Sequence, residues 1–137
     1  MVFGRTVTVQ TRGHSDVHDL TPDVLEAVRE SGIRDGLVAV TSVGSTASIS
    51  TIEYEPALVE DLKELLEKLA SSSMHSRHSA TWGDDNGFSH LRATLMGPGT
   101  TLPVVDGEVL LGTWQQIILI DHDNRPRSRR VRIQVVG

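Results

Sequence analysis

From Gly97 to its end the chain is a series of short apolar runs separated by tight-turn residues, without helical periodicity. Asp106-Gly107 divides two such runs, and Asp-Gly between apolar segments is a strong signal for a β-hairpin. In WQQIILID (114–121) the unbroken stretch Ile117–Ile120 predicts a central strand covered on both faces. Residues 129–136 alternate, which predicts a half-buried strand with Val131, Ile133 and Val135 inward and with Arg130, Arg132 and Gln134 outward. This pattern predicts a mainly antiparallel sheet rather than a doubly wound parallel one.

The amino-terminal half adds three predicted strands, at 5–11, 37–42 and 47–53, and the polar stretch 12–20 is expected to be a loop or an irregular edge. A chain of 137 residues is long enough for one real core and is most simply one domain. We therefore expect a single α+β domain over residues 1–137. Its sheet should be mainly antiparallel or mixed, with seven or eight strands and two or three helices.

Three segments carry helix signals. The clearest is 55–70, which begins at Pro56 and has six apolar residues at the spacing of one buried face: Leu58, Val59, Leu62, Leu65, Leu66 and Leu69. A second helix is expected to start at a Thr21 cap and to end at Ser31-Gly32. Leu91 and Leu95 predict a third, from about 88 to 96.

Composition excludes several classes of function. There is no cysteine, which rules out disulfides and thiolate metal sites. A net charge of −5 and an aromatic content of 4% do not favour nucleic acid as a partner. No apolar run approaches the roughly 20 residues of a membrane span, and the N-terminus has no signal-peptide pattern. A cytoplasmic protein without membrane partners is the expectation.

The stretch from Met74 to Gly97 concentrates ligand-type side chains. His78, His90 and either Asp84 or Asp85 could form an acid/base site or a metal site. Imidazole nitrogen with carboxylate oxygen suits zinc, whereas carboxylates with water suit magnesium. The alternative is that the acidic residues make a turn that caps the next helix, with His90 on its exposed face.

The same stretch could also bind phosphate. Asn86 and Ser89 flank a predicted helix start, where free backbone N–H groups attract anions. An ordinary turn is the commoner explanation of such a sequence.

Three further sets of residues are candidates. Ser45 and Thr46 with Glu53 and Glu55 could line a pocket, or could be an exposed strand face with Glu55 capping a helix. Trp82 and Trp114 could stack on a heterocycle or pack in a core or interface. Five arginines within eight positions could hold an anionic substrate or pair with neighbouring acids: Arg125, Arg127, Arg129, Arg130 and Arg132.

Three motifs together resemble the YjbQ family, whose members are described as secondary thiamine-phosphate synthases. They are D-x-N-G-x-S-H-L at 84–91, G-P-x-x-x-x-P-V-x-D-G at 97–107 and L-G-T-W-Q at 111–115. The resemblance implies an α+β fold with one curved mixed sheet, a symmetric homotrimer and a weak thiamine-phosphate synthase activity. Two positions depart from the pattern, because many members carry histidine where this chain has Gly44 and Phe88.

The resemblance implies roles for individual residues. Asp84 or Asp85 and His90 would transfer protons or, with His78, hold Mg²⁺ or Zn²⁺. Asn86 and Ser89 would orient the diphosphate of a small phosphorylated substrate, and further binding contacts would come from Thr46, Arg130 and Trp82. Two alternatives to an enzyme are a non-catalytic trimeric protein that binds a metal or phosphate ligand, and a structural trimer whose interface the central stretch builds.

Overall fold

The computed structural model describes all 137 residues. Eight strands and four helices follow in the order β1 Val2–Thr11, β2 Asp16–Asp19, α1 Thr21–Ser31, β3 Gly36–Val43, β4 Ala47–Ile52, α2 Pro56–Leu69, α3 Arg77–Trp82, α4 Gly87–Met96, β5 Gly99–Val105, β6 Glu108–Val109, β7 Gln116–Asp121 and β8 Arg127–Val136. The predicted α+β class is confirmed. The predicted number of helices, two or three, was too low, because α3 has only six residues and shows no apolar periodicity.

The strands form two sheets, with the orders β1-β8-β3-β5-β6 and β2-β7-β4. Every neighbouring pair is antiparallel, whereas the resemblance implied one mixed sheet. The predicted central strand is confirmed, since β7 lies between two partners and Ile117–Ile120 is fully buried. Of the loop and the irregular edge predicted at 12–20, the structure shows an edge, because Asp16–Asp19 pairs with β7 at the side of its sheet.

One apolar cluster joins both sheets and α1. It includes the inward residues of β8, Val131, Ile133 and Val135, as their alternation predicts. Leu119 of β7 faces this cluster, whereas Ile118 and Ile120 are buried outside it. A strand whose two faces are both covered in this way holds the centre of the domain, and its carboxyl end leads directly into the polar site described below.

Helix α2 lies almost where the sequence predicts it, and Glu55 caps it by accepting hydrogen bonds from the backbone N–H groups of Ala57 and Leu58. Its predicted apolar face is not buried within the chain. Of the six residues only Leu66 is buried, and Leu65 and Leu69 are 51% and 63% exposed. The helix is amphipathic, as predicted, but the chain itself covers only a narrow stripe of it.

Helix α1 starts differently from the prediction. Leu20, not Thr21, occupies its N-cap, because the Thr21 hydroxyl instead accepts a hydrogen bond from the backbone N–H of Ile117. The predicted end at Gly32 is confirmed by its left-handed backbone. None of the four helices combines the length and hydropathy that a membrane crossing requires.

Candidate functional site

The short helix α3 and the start of α4 form one rigid corner. Ser76 caps α3 by accepting a hydrogen bond from the Ser79 N–H, and Gly83 ends the helix in a left-handed conformation. A Cβ at Gly87 would lie 2.1 Å from the Ser76 hydroxyl oxygen, so only glycine lets α4 begin this close to α3. The corner brings His78 and His90 together, although they are twelve positions apart in sequence.

A pocket of about 630 Å³ opens at this corner, and we refer to it as the α3–α4 pocket. Its lining consists of Met74, His75, Ser76, Arg77, His78, Gly87, His90 and Leu91. The rings of His78 and His90 have centroids 4.5 Å apart and are tilted by 47°. Nδ1 of His78 is buried without a hydrogen bond and lies 3.4 Å from the nearer carboxylate oxygen of Asp84. Two imidazoles and a carboxylate therefore meet at the edge of one cavity.

The other predicted acidic residue, Asp85, does not join them. Its side chain is exposed, its φ is +56°, and it is absent from the pocket lining. No group of three or more His, Asp or Glu side chains is arranged to hold a metal ion. His78, Asp84 and His90 are thus neighbours, but they do not converge on one coordination point.

Behind the pocket lies a buried polar network at the end of β7. The Asp121 carboxylate accepts hydrogen bonds from Nε and Nη2 of Arg129, at 2.7 and 2.8 Å, and from the Thr11 hydroxyl at 2.6 Å. Burial alone would raise the pKa of Asp121, but these donors stabilise the carboxylate and hold its pKa below the ordinary value. Asp121 is therefore a buried, charged residue whose partners are fixed.

Asp123 joins three parts of the chain. Its carboxylate accepts hydrogen bonds from the Thr46 hydroxyl at 3.0 Å, from Nδ2 of Asn86 at 3.2 Å and from Nε of Arg127 at 2.9 Å. Burial opposes ionisation here too, yet the hydrogen bonds, led by the backbone N–H of Asn124, lower its pKa. The β3–β4 turn and the start of α4 are consequently tied to the same side chain.

His122 lies between these two acids and is fully buried. Its Nε2 is 3.0 Å from the Ser48 hydroxyl, and Nδ1 has no partner. Burial, followed by the positive charge of Arg92, lowers the pKa of His122 to about 4. The backbone carbonyl of the same residue accepts a hydrogen bond from Ser89 at 2.6 Å, which fastens α4 to β7.

The predicted substrate-binding residues are in different surroundings. Asn86 and Ser89 are buried, and their side chains donate to Asp123 and to the His122 carbonyl, so they support α4 rather than line the pocket. Thr46 is buried as well and accepts a hydrogen bond from Arg129 at 2.7 Å. These engaged side chains favour positioning roles over direct contact with a substrate.

Trp82 and Arg130 are exposed and lie outside the α3–α4 pocket. Trp82, 73% exposed, ends α3, and Arg130 lies on the outward face of β8. Only part of the arginine group is outward, because Arg127 and Arg129 pair with the buried acids. Phe88 is buried beneath the guanidinium of Arg92, whose central carbon lies 4.9 Å from the centre of the phenyl ring.

Sequence reasoning missed Asp121, His122, Asp123 and Arg92. The first three follow immediately after the apolar run of β7, and they remain buried like the strand that precedes them. Two arginines, Arg127 and Arg129, come next within reach of the acids. A signal was therefore present: acids directly after a buried strand, then arginines at alternating positions. Arg92 had none, because its partners Ala70 and Ser15 are distant in sequence.

Comparison with known proteins agrees with this architecture. The family model described as "UPF0047 protein YjbQ-like" matches residues 5–137. A UPF0047 protein of Methanothermobacter thermautotrophicus is 37% identical over 136 residues, covering 99% of this chain and 93% of that protein. One from Archaeoglobus fulgidus is 35% identical and covers 95% of this chain and 98% of its own.

A solved structure from Sulfolobus solfataricus, described as a YbjQ-like protein of unknown function, superposes with a TM-score of 0.95 at 31% identity. That match covers 100% of this chain and 98% of the other. A hypothetical protein from Aeropyrum pernix gives a TM-score of 0.90 at 33% identity, with 98% of each chain covered. On sequence and on fold, the chain belongs to the YjbQ/UPF0047 family.

Proposed function

We propose that this protein is a weak transferase of the thiamine-phosphate synthase type, acting in the cytoplasm at the α3–α4 pocket. It would join a pyrimidine diphosphate to a thiazole phosphate and release pyrophosphate. The observation that carries the proposal is the pair His78 and His90, whose ring centroids are 4.5 Å apart at a cavity of about 630 Å³. A cavity of this size suits a small substrate.

Each group at the pocket has a distinct part in this proposal. His90 is the proton-transfer group, and Asp84, 3.4 Å from His78, orients the second imidazole. Gly87 at the start of α4 lines the cavity, which places the free N–H groups of that helix terminus beside a bound diphosphate. Arg77 in the same lining supplies a cation that stabilises the leaving pyrophosphate.

A divalent metal, Mg²⁺ or Zn²⁺, stays a prediction for His78, Asp84 and His90. The donor types suit zinc, but the three side chains are not arranged as a metal-binding group. The proposed chemistry therefore uses no metal in any step. Titration with each metal, followed by calorimetry, tests the prediction independently of turnover.

Replacing His90 by alanine should lower turnover by about 100-fold, since a positioned acid or base contributes on that order. The melting temperature should hardly change, because His90 is half-exposed and its side chain makes no hydrogen bond that holds the fold. Turnover of the two phosphorylated substrates and a thermal melt are the measurements.

The matched control is His75→Ala, which removes an exposed histidine from the same pocket lining. That variant should keep most of the activity. Equal activity in His90→Ala and the parent protein would show that His90 does not transfer the proton.

A non-catalytic binding protein is the second candidate. It is favoured by Gly44 and Phe88, which provide no imidazole at two positions where the motif resemblance implies histidine. Calorimetry with the same phosphorylated ligands, run beside the turnover assay, separates the two candidates. Tight binding without product would support the binding protein.

We also propose that the protein assembles as a homotrimer through α2 and α4. Leu65 and Leu69 on α2 and Leu91 and Leu95 on α4 are between 45% and 69% exposed. Large exposed apolar residues on adjoining helices are typical of a surface that another chain covers. A second copy suits this surface because all four leucines are left exposed by their own chain.

Replacing both Leu69 and Leu95 by lysine should convert trimers of the 14.9 kDa chain into monomers, because each charge would be buried at the interface. Light scattering after size exclusion gives the mass. Leu25→Lys on α1, where the side chain is 42% exposed, is the matched control and should leave the mass unchanged.

The structural-trimer alternative predicts a different outcome. In that case Asp84→Ala and His90→Ala would also dissociate the assembly, because the central stretch would itself form the interface. A mass that falls to that of one chain in both variants would favour this alternative over a catalytic role.

A further inference from the structure

Arg129 has a donor that the buried network does not use. The side chain is 92% buried, since only 8% of it is exposed, and its hydrogen bonds run through Nε and Nη2 to Asp121 and Thr46. Nη1 donates none of them. A guanidinium is always charged and its donors are strong, so a free Nη1 on a fixed side chain is a ready anion contact.

The free Nη1 faces Gly44, at the end of β3. A Cβ built on Gly44 would meet one heavy atom within 4 Å, and that atom is Nη1 of Arg129, at 3.2 Å. Gly44 and the next residue, Ser45, are exposed. Because Gly44 has no side chain and is exposed, it leaves Nη1 of Arg129 uncovered on this side. We call Gly44, Ser45 and Nη1 of Arg129 the Gly44 notch.

The charges of the buried network are balanced beside the notch. Asp121 and Asp123 are each held by an arginine and offset the charges of Arg127 and Arg129. Arg130 is exposed on the outward face of β8, on the opposite side of the strand from the guanidinium of Arg129. Because both acids are paired, the notch offers an anion a fixed, charged hydrogen-bond donor without an unpaired carboxylate of the network to repel it.

We propose that the Gly44 notch binds a phosphate group, with Nη1 of Arg129 as the charged donor and the Ser45 hydroxyl as a second donor. Asp123 links the notch to the catalytic corner, because it accepts hydrogen bonds from both Thr46 and Asn86. The proposal deepens the proposed function by assigning a phosphate-holding group to it, and it rests on that function only for the identity of the substrate.

Binding of inorganic phosphate tests the notch without turnover. The Nε–H of Arg129 donates to a buried carboxylate at 2.7 Å, so it should exchange slowly and give its own signal in a ¹H–¹⁵N spectrum. Titration with phosphate should shift this signal along a saturating curve. Ser45→Asp should weaken the apparent affinity by about tenfold or more through repulsion, without lowering the melting temperature, since Ser45 is exposed.

The matched control is Ser128→Asp, which adds the same charge one residue from Arg129 but on the outward face of β8. It should weaken phosphate binding much less than Ser45→Asp does. Equal weakening in both variants, or phosphate shifts confined to Arg125 and Arg130, would overturn the notch. Acetate that binds as tightly as phosphate would overturn the choice of ligand.

The titration is repeated in His90→Ala. A phosphate shift at Arg129 in that variant, at the parent affinity, supports the notch whether or not the parent protein shows turnover. Absence of the shift in both proteins overturns the notch, even if turnover is found, so the two proposals fail separately.

Discussion

Replacing Asp121 by asparagine is expected to lower the free energy of unfolding by about 3–5 kcal/mol, the range for breaking a buried ion pair by removing one partner. The side chain is fully buried and accepts two hydrogen bonds from Arg129 and one from Thr11. Asparagine has nearly the same size as aspartate but leaves the charge of Arg129 without its paired carboxylate. Its NH₂ group is a donor and would face the donors of Arg129 and Thr11. Urea unfolding at neutral pH measures the difference.

Asp61→Asn on the exposed side of α2 is the control, and it should change stability by less than about 0.5 kcal/mol. An Asp121→Asn protein as stable as this control would mean that the network contributes little to folding. Loss of the pair should also disturb the Gly44 notch, because Asp121 fixes the guanidinium that faces it.

Stability is expected to fall by about 3 kcal/mol as the pH is lowered from about 6.5 to about 4, because of His122. In the folded protein, burial and the charge of Arg92 lower the pKa of His122 to about 4, from an ordinary 6.5. Between these two values the unfolded chain binds a proton that the folded chain does not. His122 therefore destabilises the folded protein most at the acid end of this range. The destabilisation vanishes at pH values above the ordinary pKa.

The measurement is the free energy of unfolding at a series of pH values, for the parent and for His122→Gln. Glutamine does not titrate in this range. The unfolding free energy of His122→Gln should therefore change less between pH 4 and 6.5 than that of the parent protein, whatever the stability of the variant at neutral pH. His75→Gln, at an exposed position, should keep the parent slope. Parallel curves for the parent protein and His122→Gln would contradict the prediction.

The acids of the network act in a lower pH range. The pKa values of Asp121 and Asp123 are lowered from an ordinary 3.8, by hydrogen bonds that outweigh burial. A carboxyl group whose pKa is lowered in the folded protein stabilises the fold at pH values above its ordinary pKa. That stabilisation is lost as the pH falls through the pKa of the folded state. The two effects therefore follow one another on acidification, with His122 first.

Much of the fold could be predicted because its signals are local. The unbroken run Ile117–Ile120 can only be satisfied by cover on both faces, and β7 is covered in that way. Asp106-Gly107 forms the expected turn between β5 and β6. Glu55 caps α2, which was one of the two roles predicted for it. In each case a few neighbouring residues determine the backbone.

Prediction of the candidate site was less complete. The stretch Met74–Gly97 does hold the histidines that line the α3–α4 pocket, and the sequence identified His78 and His90. It could not show that Asn86 and Ser89 donate to Asp123 and to the His122 carbonyl instead of to a ligand, since these partners are more than thirty positions away. The predicted burial of the leucines of α2 was wrong for a similar reason, because amphipathicity identifies an apolar face but does not determine whether the rest of the chain packs against it.

The sequence by itself determined the α+β class, the positions of most strands and helices, and the segment that carries the histidine pair. Those features depend on periodicity and turn chemistry, which act over a few residues. Only the tertiary structure decided that Arg129 holds the buried carboxylate of Asp121, and that Nη1 of Arg129 meets Gly44. The contacts of Arg129 with Thr46 and Gly44 join residues more than eighty positions apart, and their geometry follows from the packing of the two sheets.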